Sequence, residues 1–190
     1  MNAAGILLAA GRGRRFDPDG RRNKLLQPLA GGEPVVSSSA RALLSVLPRV
    51  IAVVPPQDGG VAGTLRALGC EVVLCEEADS GMAASLVTAI ASSLPQADAW
   101  LVALGDMPYV APATLRALLA ALEEGADIAA PVFDGRRGNP VAFGARHLPA
   151  LLALEGEHGA RALLKSGPVV EVAVDDPGIL RDIDTPGDLA

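Results

Sequence analysis

Gly5-Ile6-Leu7-Leu8-Ala9 runs directly into Ala10-Gly11-Arg12-Gly13-Arg14-Arg15. The first five residues are apolar at every position, which predicts a strand covered on both faces. The next six turn abruptly to glycine and arginine, so residues 10–24 read as a long loop leaving the carboxyl end of that strand. The alternation continues outward. Val50–Val54, Glu71–Leu74, Trp100–Leu104, Ile128–Val132, Pro140–Phe143 and Val169–Val174 are further strand candidates, two of them separated by a polar Gly135–Asn139 turn. Helices are expected over Pro34–Leu47, from an Asp58 cap to Leu68 with Gly69 as its stop, and over Met82–Leu94 and Pro112–Glu124. Two more are expected over Leu148–Leu154 and Ala160–Lys165. Apolar strands alternating with helices indicate an α/β sandwich with a mostly parallel sheet. Such sheets bind ligands at the carboxyl ends of their strands, near a switch in strand order.

The chain has 190 residues, half of them apolar, which suits one domain over 1–190 and excludes disorder as the dominant state. Its apolar runs fall far short of a membrane span, and Met1-Asn2-Ala3-Ala4 lacks the basic start of a signal peptide. With only Cys70, Cys75 and two histidines, a disulfide scaffold and a His- or Cys-rich zinc site are excluded, and a cytoplasmic location is expected. The formal net charge of −6 argues against nucleic acid as a partner. The five aromatic residues are too scattered to build a base-stacking platform, and Trp100 and Phe143 read as core. Against this acidic background, residues 12–24 gather Arg12, Arg14, Arg15, Arg21, Arg22 and Lys24 beside only Asp17 and Asp19. Such a basic knot suits a small, highly charged anion.

Three segments carry candidate chemistry. In Leu8-Ala9-Ala10-Gly11-Arg12-Gly13-Arg14-Arg15, small residues let the backbone approach a ligand and successive amides can cradle an anion. The arginines add forked donors for phosphate oxygens. No Gly-Lys-Ser/Thr follows, so this is no P-loop, and Phe16 stands where a dinucleotide fingerprint needs its third glycine. Lys24 is one of two lysines in an arginine-rich chain and suits a compact point charge on a phosphate. Gly105-Asp106-Met107-Pro108 follows a strand, so Asp106 sits where such a sheet presents its site and can hold Mg²⁺ against triphosphate oxygens. Asp182-Ile183-Asp184-Thr185-Pro186 offers a second carboxylate, Asp184, although Thr185 or Asp184 could equally cap a helix ahead of Pro186.

Taken in order, Leu8–Gly11 with Arg15, Lys24-Leu25-Leu26, Gly105–Pro108 and Asp182–Pro186 resemble the MobA-like nucleotidyltransferases, and within them the molybdenum cofactor cytidylyltransferases. Gly81-Met82-Ala83-Ala84-Ser85-Leu86, Arg137-Gly138-Asn139-Pro140 and Gly156-Glu157-His158-Gly159-Ala160-Arg161 resemble further signatures of that family. The resemblance implies a single-domain, Rossmann-like three-layer sandwich with a mixed sheet, of the nucleotide-diphospho-sugar transferase type. It implies transfer of CMP from CTP to the phosphate of a molybdopterin-type cofactor, with release of pyrophosphate. A molybdoenzyme client is a further implied partner.

By that resemblance, Leu8, Ala9, Ala10, Gly11, Arg12, Gly13 and Arg14 bind the nucleotide, and Arg15 and Lys24 hold its phosphates as catalytic cations. Asp106 is the catalytic carboxylate and, with Asp184, the ligand of Mg²⁺ or Mn²⁺. Gly81 and Ser85 face the base and ribose. Gly138, Asn139, Pro140, Glu157 and Arg161 line the acceptor side. Ala10 matches the cytidylyl subgroup, where the guanylyl subgroup usually has glycine. The sequence departs from the family pattern at Phe16-Asp17 (usually Met-Gly), in a longer loop to Lys24, and at Ala83, Asn139 and Glu157. His158 is read as a variable loop residue, and Cys70 and Cys75 as packed or surface thiols. Guanylyl or other nucleotidyl transfer to a different acceptor, a non-catalytic cofactor carrier, and an oxidoreductase related to the family stay as alternatives.

Overall fold

The computed structural model describes residues 1–189 apart from positions 12, 14, 20, 157, 158 and 162. The strands are β1 (Ala3–Leu8), β2 (Val50–Val54), β3 (Glu71–Leu74), β4 (Ala99–Leu104), β5 (Ile128–Phe133), β6 (Arg136–Arg137), β7 (Val141–Gly144) and β8 (Val170–Ala173). The helices are α1 (Val35–Leu44), α2 (Val61–Leu68), α3 (Met82–Ser93), α4 (Pro112–Glu123), α5 (Leu148–Leu152) and α6 (Leu163–Ser166). One sheet runs β3-β2-β1-β4-β7-β5-β6, with β8 beside β5. β1 pairs in parallel with β2 and β4, β2 with β3, and β5 with β8. Among the described residues, only β7, lying between β4 and β5, and the short β6 run antiparallel. The chain therefore winds outward from β1 to β3, then crosses back to set β4 on the other side of β1. That reversal is the switch point at which an α/β sheet opens a crevice.

The alternation of side chains along the central strands separates two cores. Leu7 and Ala9, Ala52 and Val54, and Leu101 and Ala103 join Leu43, Leu65, Leu115 and Leu118 under α1, α2 and α4. Ala4 and Ile6, Ile51 and Val53, and Trp100 and Val102 join Leu86, Ile90, Phe143 and Leu151 under α3 and α5. Two buried faces leave no room for polar positions in β1, β2 or β4, which is why those strands are legible as apolar runs. Trp100 and Phe143 are core, as expected; the indole Nε1 of Trp100 donates to Ser93 Oγ at 2.8 Å, so its one polar atom is satisfied. Cys70 and Cys75 are both buried and free, and burial pushes the Cys70 thiol up to about 11. Among the described residues no helix is long and apolar enough to cross a membrane.

Most element ends differ from the sequence expectation by a residue or a few, and α2 starts after Gly60 with no side-chain cap, not from an Asp58 cap, because Asp58 Oδ1 accepts the Gly60 N–H instead. Three differences are larger or change an element's kind. β1 begins at Ala3, two residues early, because alanines pair in a strand without the bulk that marks one. Arg136-Arg137 is a strand, not part of a turn. Asp134 and Gly135 both take positive φ (49° and 69°), the Asp-Gly geometry that closes a two-residue hairpin, and Arg136 and Arg137 then pair with Phe133 and Val132. The stretch expected to be helical over Ala160–Lys165 is instead a 3₁₀ turn, Gly159–Arg161, followed by α6.

Gly138 follows that hairpin with its backbone against the Ile179 carbonyl, and a Cβ there would collide with the Ile179 backbone. Gly138→Ala is expected to cost about 1–3 kcal/mol of stability through backbone displacement. A urea midpoint equal to that of the parent would count against this packing role.

Candidate active site

Two loops leave the switch point side by side. After β1, Ala9 N–H donates to Val53 O at 2.9 Å; after β4, Gly105 N–H donates to Leu8 O at 2.9 Å. A Cβ on Gly105 would lie 3.1 Å from that same Leu8 carbonyl, so the second loop needs glycine to lie this close to the first. The next residue, Asp106, is thereby set at the mouth of the crevice. Its loop is held from α1 as well: Ser39 Oγ donates to Gly105 O at 3.0 Å and Ser38 Oγ to Pro108 O at 3.1 Å.

Lys24 approaches from the opposite side. Asn23 caps the short 3₁₀ turn Lys24–Leu26, accepting from Leu25 N–H while its amide donates to Asp58 O at 3.0 Å. Gly13, with φ of +58°, lies along the Lys24 side chain. Lys24 is only 8% exposed. Its Nζ donates to Asp106 Oδ2 at 2.6 Å and to Ile183 O at 2.9 Å, and lies 3.7 Å from Asp184 Oδ1. A buried ammonium is tolerated only where charges and acceptors of this kind surround it. Arg15 completes the set, donating to Asp184 Oδ2 at 2.6 Å. The structure thus brings together Arg15, Lys24, Asp106 and Asp184, the first pair lying 82 to 169 positions from the second in the chain.

The basic knot divides by role. Arg22 lies over the buried Phe16 ring with its guanidinium 5.7 Å from the centroid, and Asp17 accepts the Arg22 N–H at 2.6 Å. The Phe16-Asp17 departure therefore folds the loop, with Phe16 anchored in the core and Asp17 tying its turn. Arg12 and Arg14 lie outside the described residues, as do Glu157 and His158.

A cleft of about 390 Å³ opens from these loops. One wall is Leu8, Ala9, Ala10 and Gly11 with Lys24 and Asp106; the other is Asp79, Gly81, Met82 and Ser85 at the start of α3. This is the size of a small-molecule site. Ser85 is almost fully buried and borders this cleft. Asp79 was not expected from the sequence, where nothing sets it apart from other turn acids.

The residues expected on the acceptor side fall in two places. Asn139 and Pro140 border a small cavity beside Leu104 and Met107, next to the Asp106 loop, and Asn139 N–H donates to Ile179 O at 3.0 Å. Arg161 is exposed on the far side, in the turn whose Gly159 packs against Met82 of α3. Thr185 stands at the head of the 3₁₀ turn Pro186–Leu189, as one of the two sequence readings has it, and its carbonyl accepts the Asp188 N–H at 3.1 Å. In return Asp188 accepts from Asp184 N–H, Thr185 N–H and the Thr185 hydroxyl at 3.1, 2.7 and 2.8 Å. The Thr185 donors, then the Asp184 N–H, hold the Asp188 carboxyl below its ordinary range.

No group of three or more His, Cys, Asp and Glu gathers among the described residues. The protein offers a metal two carboxylates, Asp106 and Asp184, across one ammonium. That donor set fits Mg²⁺ or Mn²⁺, which take one or two carboxylates and fill the rest of their shell with phosphates and water.

The MobA-like NTP transferase domain matches residues 5–172. The purine catabolism protein PucB of Bacillus subtilis is 32% identical over 197 residues, covering 96% of this chain and 91% of that protein. The crystal structure of Rv0371c from Mycobacterium tuberculosis superposes with a TM-score of 0.85 at 30% identity, covering 99% of this chain and 95% of its own. Its complex with manganese gives 0.80 at 29%, covering 99% and 96%. A nucleotidyl transferase from Methanothermobacter thermautotroptrophicus gives 0.80 at 28%, covering 98% and 93%. A match that begins in β1 and ends in β8, on a backbone shared almost end to end with these relatives, shows that the chain belongs to the MobA-like NTP transferase family and is a nucleotidyltransferase.

Proposed function

We propose that this nucleotidyltransferase moves CMP from CTP to the terminal phosphate of a molybdopterin-type cofactor and releases pyrophosphate. The observation that carries the reading is the Lys24 ammonium held between Asp106 and Asp184 at the mouth of the switch-point cleft. A phosphate oxygen of the acceptor attacks the α-phosphorus of CTP, and the bond from that phosphorus to the bridging oxygen breaks. Pyrophosphate departs with the electron pair. The acceptor oxygen is already anionic, so the step needs no strong base, in keeping with a site of cations and carboxylates. Lys24 and Arg15 turn toward the triphosphate and take up charge on the leaving pyrophosphate. The glycine-containing Leu8–Gly13 backbone lies along the phosphates, and Ser85 offers its hydroxyl to the ribose or base. Asp106 and Asp184 would hold Mg²⁺ or Mn²⁺, which supplies charge neutralisation on the phosphates when bound. The mycobacterial relative was solved with manganese, which supports a divalent ion here.

The preference for CTP rests on Ala10. Its methyl borders the cleft and packs toward the core under α3, filling space that a glycine would leave to a purine. Pyrophosphate release in the presence of Mg²⁺ and the phosphorylated pterin is expected with CTP and to be much slower with GTP. Faster release with GTP would overturn the cytidylyl reading, and no release with either nucleotide would overturn the acceptor. Ala10→Gly is expected to shift the CTP-to-GTP ratio of kcat/KM toward GTP by about tenfold, the scale set by one methyl in a pocket. An unchanged ratio would remove Ala10 from the account.

A further inference from the structure

We infer that Asp176 is a positioning residue for this site: it pins the segment bearing Ile183 and Asp184 against the loop bearing Asp106, and so sets how the two carboxylates face each other. The inference rests on the reading of those carboxylates as the metal-holding pair. Asp176 is 5% exposed, and among the described residues its carboxylate accepts hydrogen bonds from segments that lead to the site. Its Oδ2 accepts from Ala111 N–H at 2.9 Å and from the Thr114 hydroxyl at 2.6 Å, at the start of α4. Its Oδ1 accepts from Gly178 N–H at 2.9 Å. One carboxylate thus joins the end of the Asp106 loop to the beginning of the segment that ends in Asp184.

Between these anchors the two chains run together. Gly178 presses against the Tyr109 carbonyl where any Cβ would collide, and the Arg181 guanidinium sits 4.2 Å from the centre of the Tyr109 ring. Ile183 N–H then donates to Asp106 O at 2.8 Å, and Ile183 O accepts from Lys24. Residues 105–111 and 176–184 are therefore stapled at both ends, by Asp106–Ile183 at the mouth and by Asp176 at the base. The mouth staple is one hydrogen bond; the base staple is two, both to a single buried carboxylate whose other oxygen is held by Gly178 N–H of its own segment. Loss of the base staple lets the segment slide, and the separation of Asp106 and Asp184 is no longer fixed.

Asp176→Asn tests this. An amide keeps the shape but has one oxygen, so its NH₂ must face the donors of either α4 or Gly178. Thr114→Val is the milder companion, removing one bond at constant shape. Leu122→Ala, a cavity at the far end of α4, serves as a control that destabilises the fold without touching the staple. Binding of Mn²⁺ is read from the EPR signal of the free ion, with and without CTP, alongside thermal midpoints. The Mn²⁺ Kd is expected to rise about tenfold in Asp176→Asn and by a smaller factor in Thr114→Val, while Leu122→Ala stays within about twofold of the parent. Equal weakening by Leu122→Ala, or an unchanged Kd in a folded Asp176→Asn or Thr114→Val protein, would overturn the role. A parent that binds Mn²⁺ but releases no pyrophosphate from CTP would sink the proposed reaction and leave the staple standing. A parent that takes up no Mn²⁺, even with CTP, would sink both.

Discussion

Asp106→Asn is expected to cut turnover by about 10²–10³-fold while the protein stays folded. The two halves of this result have separate structural origins. The backbone of Asp106 does the structural work, its carbonyl accepting the Ile183 N–H at 2.8 Å, and an asparagine keeps that bond. The side chain has one described partner, Lys24 Nζ at 2.6 Å, and an amide oxygen can still accept from an ammonium. What asparagine removes is the negative charge, and with it one of the two carboxylates proposed to hold a divalent ion. The change therefore falls on the step in which charge moves from the α-phosphorus to pyrophosphate. Pyrophosphate release, a circular dichroism spectrum and Mn²⁺ binding together check it. Parent-like kcat at saturating Mg²⁺ would remove Asp106 from the chemistry.

Lys24→Met should weaken CTP binding by about 10- to 100-fold, the scale of one lost charge-assisted hydrogen bond. It should also expose a conflict hidden in the parent. With the ammonium gone, Asp106 loses its cation while Asp184 keeps only the exposed Arg15, and Ile183 O loses its donor. Breaking a fully buried pair costs 3–5 kcal/mol, but these carboxylates are 23% and 27% exposed, so water screens the repulsion and about 1–2 kcal/mol is expected. A divalent ion can replace the missing charge. Mn²⁺ alone should therefore raise the thermal midpoint of the variant more than that of the parent. A midpoint insensitive to Mn²⁺, or CTP affinity equal to the parent, would return Lys24 to the ordinary structural lysines.

Lys24 and Asp106 were legible because their signals are local: a rare lysine before apolar residues, and an acid straight after a buried strand. The central strands were legible because burial on both faces leaves no ambiguity of period. The Asp134-Gly135 hairpin was misjudged because the length of a polar loop hides how few residues turn the chain. Asp184 stands out in the sequence but Asp188 does not, because its carboxylate acts by reaching back to the Asp184 and Thr185 N–H groups at the head of the Pro186–Leu189 turn. Asp176 was illegible for a deeper reason. Asp175-Asp176-Pro177-Gly178 reads as any surface turn, and only the meeting with Ala111 and Thr114, more than 60 residues earlier in the chain, buries one of its two acids.

The division of the molecule into two cores has a consequence for how such a protein can diverge. Lys24 and Asp106 are rooted through their neighbours Leu25 and Met107, with Ile183, on one side of the sheet; the opposing wall grows from α3, rooted with Leu86 and Ile90 on the other. Descendants of one ancestor could exchange the first turn of α3 to suit a new ligand while inheriting the reactive half intact, because the sheet insulates each from repacking in the other.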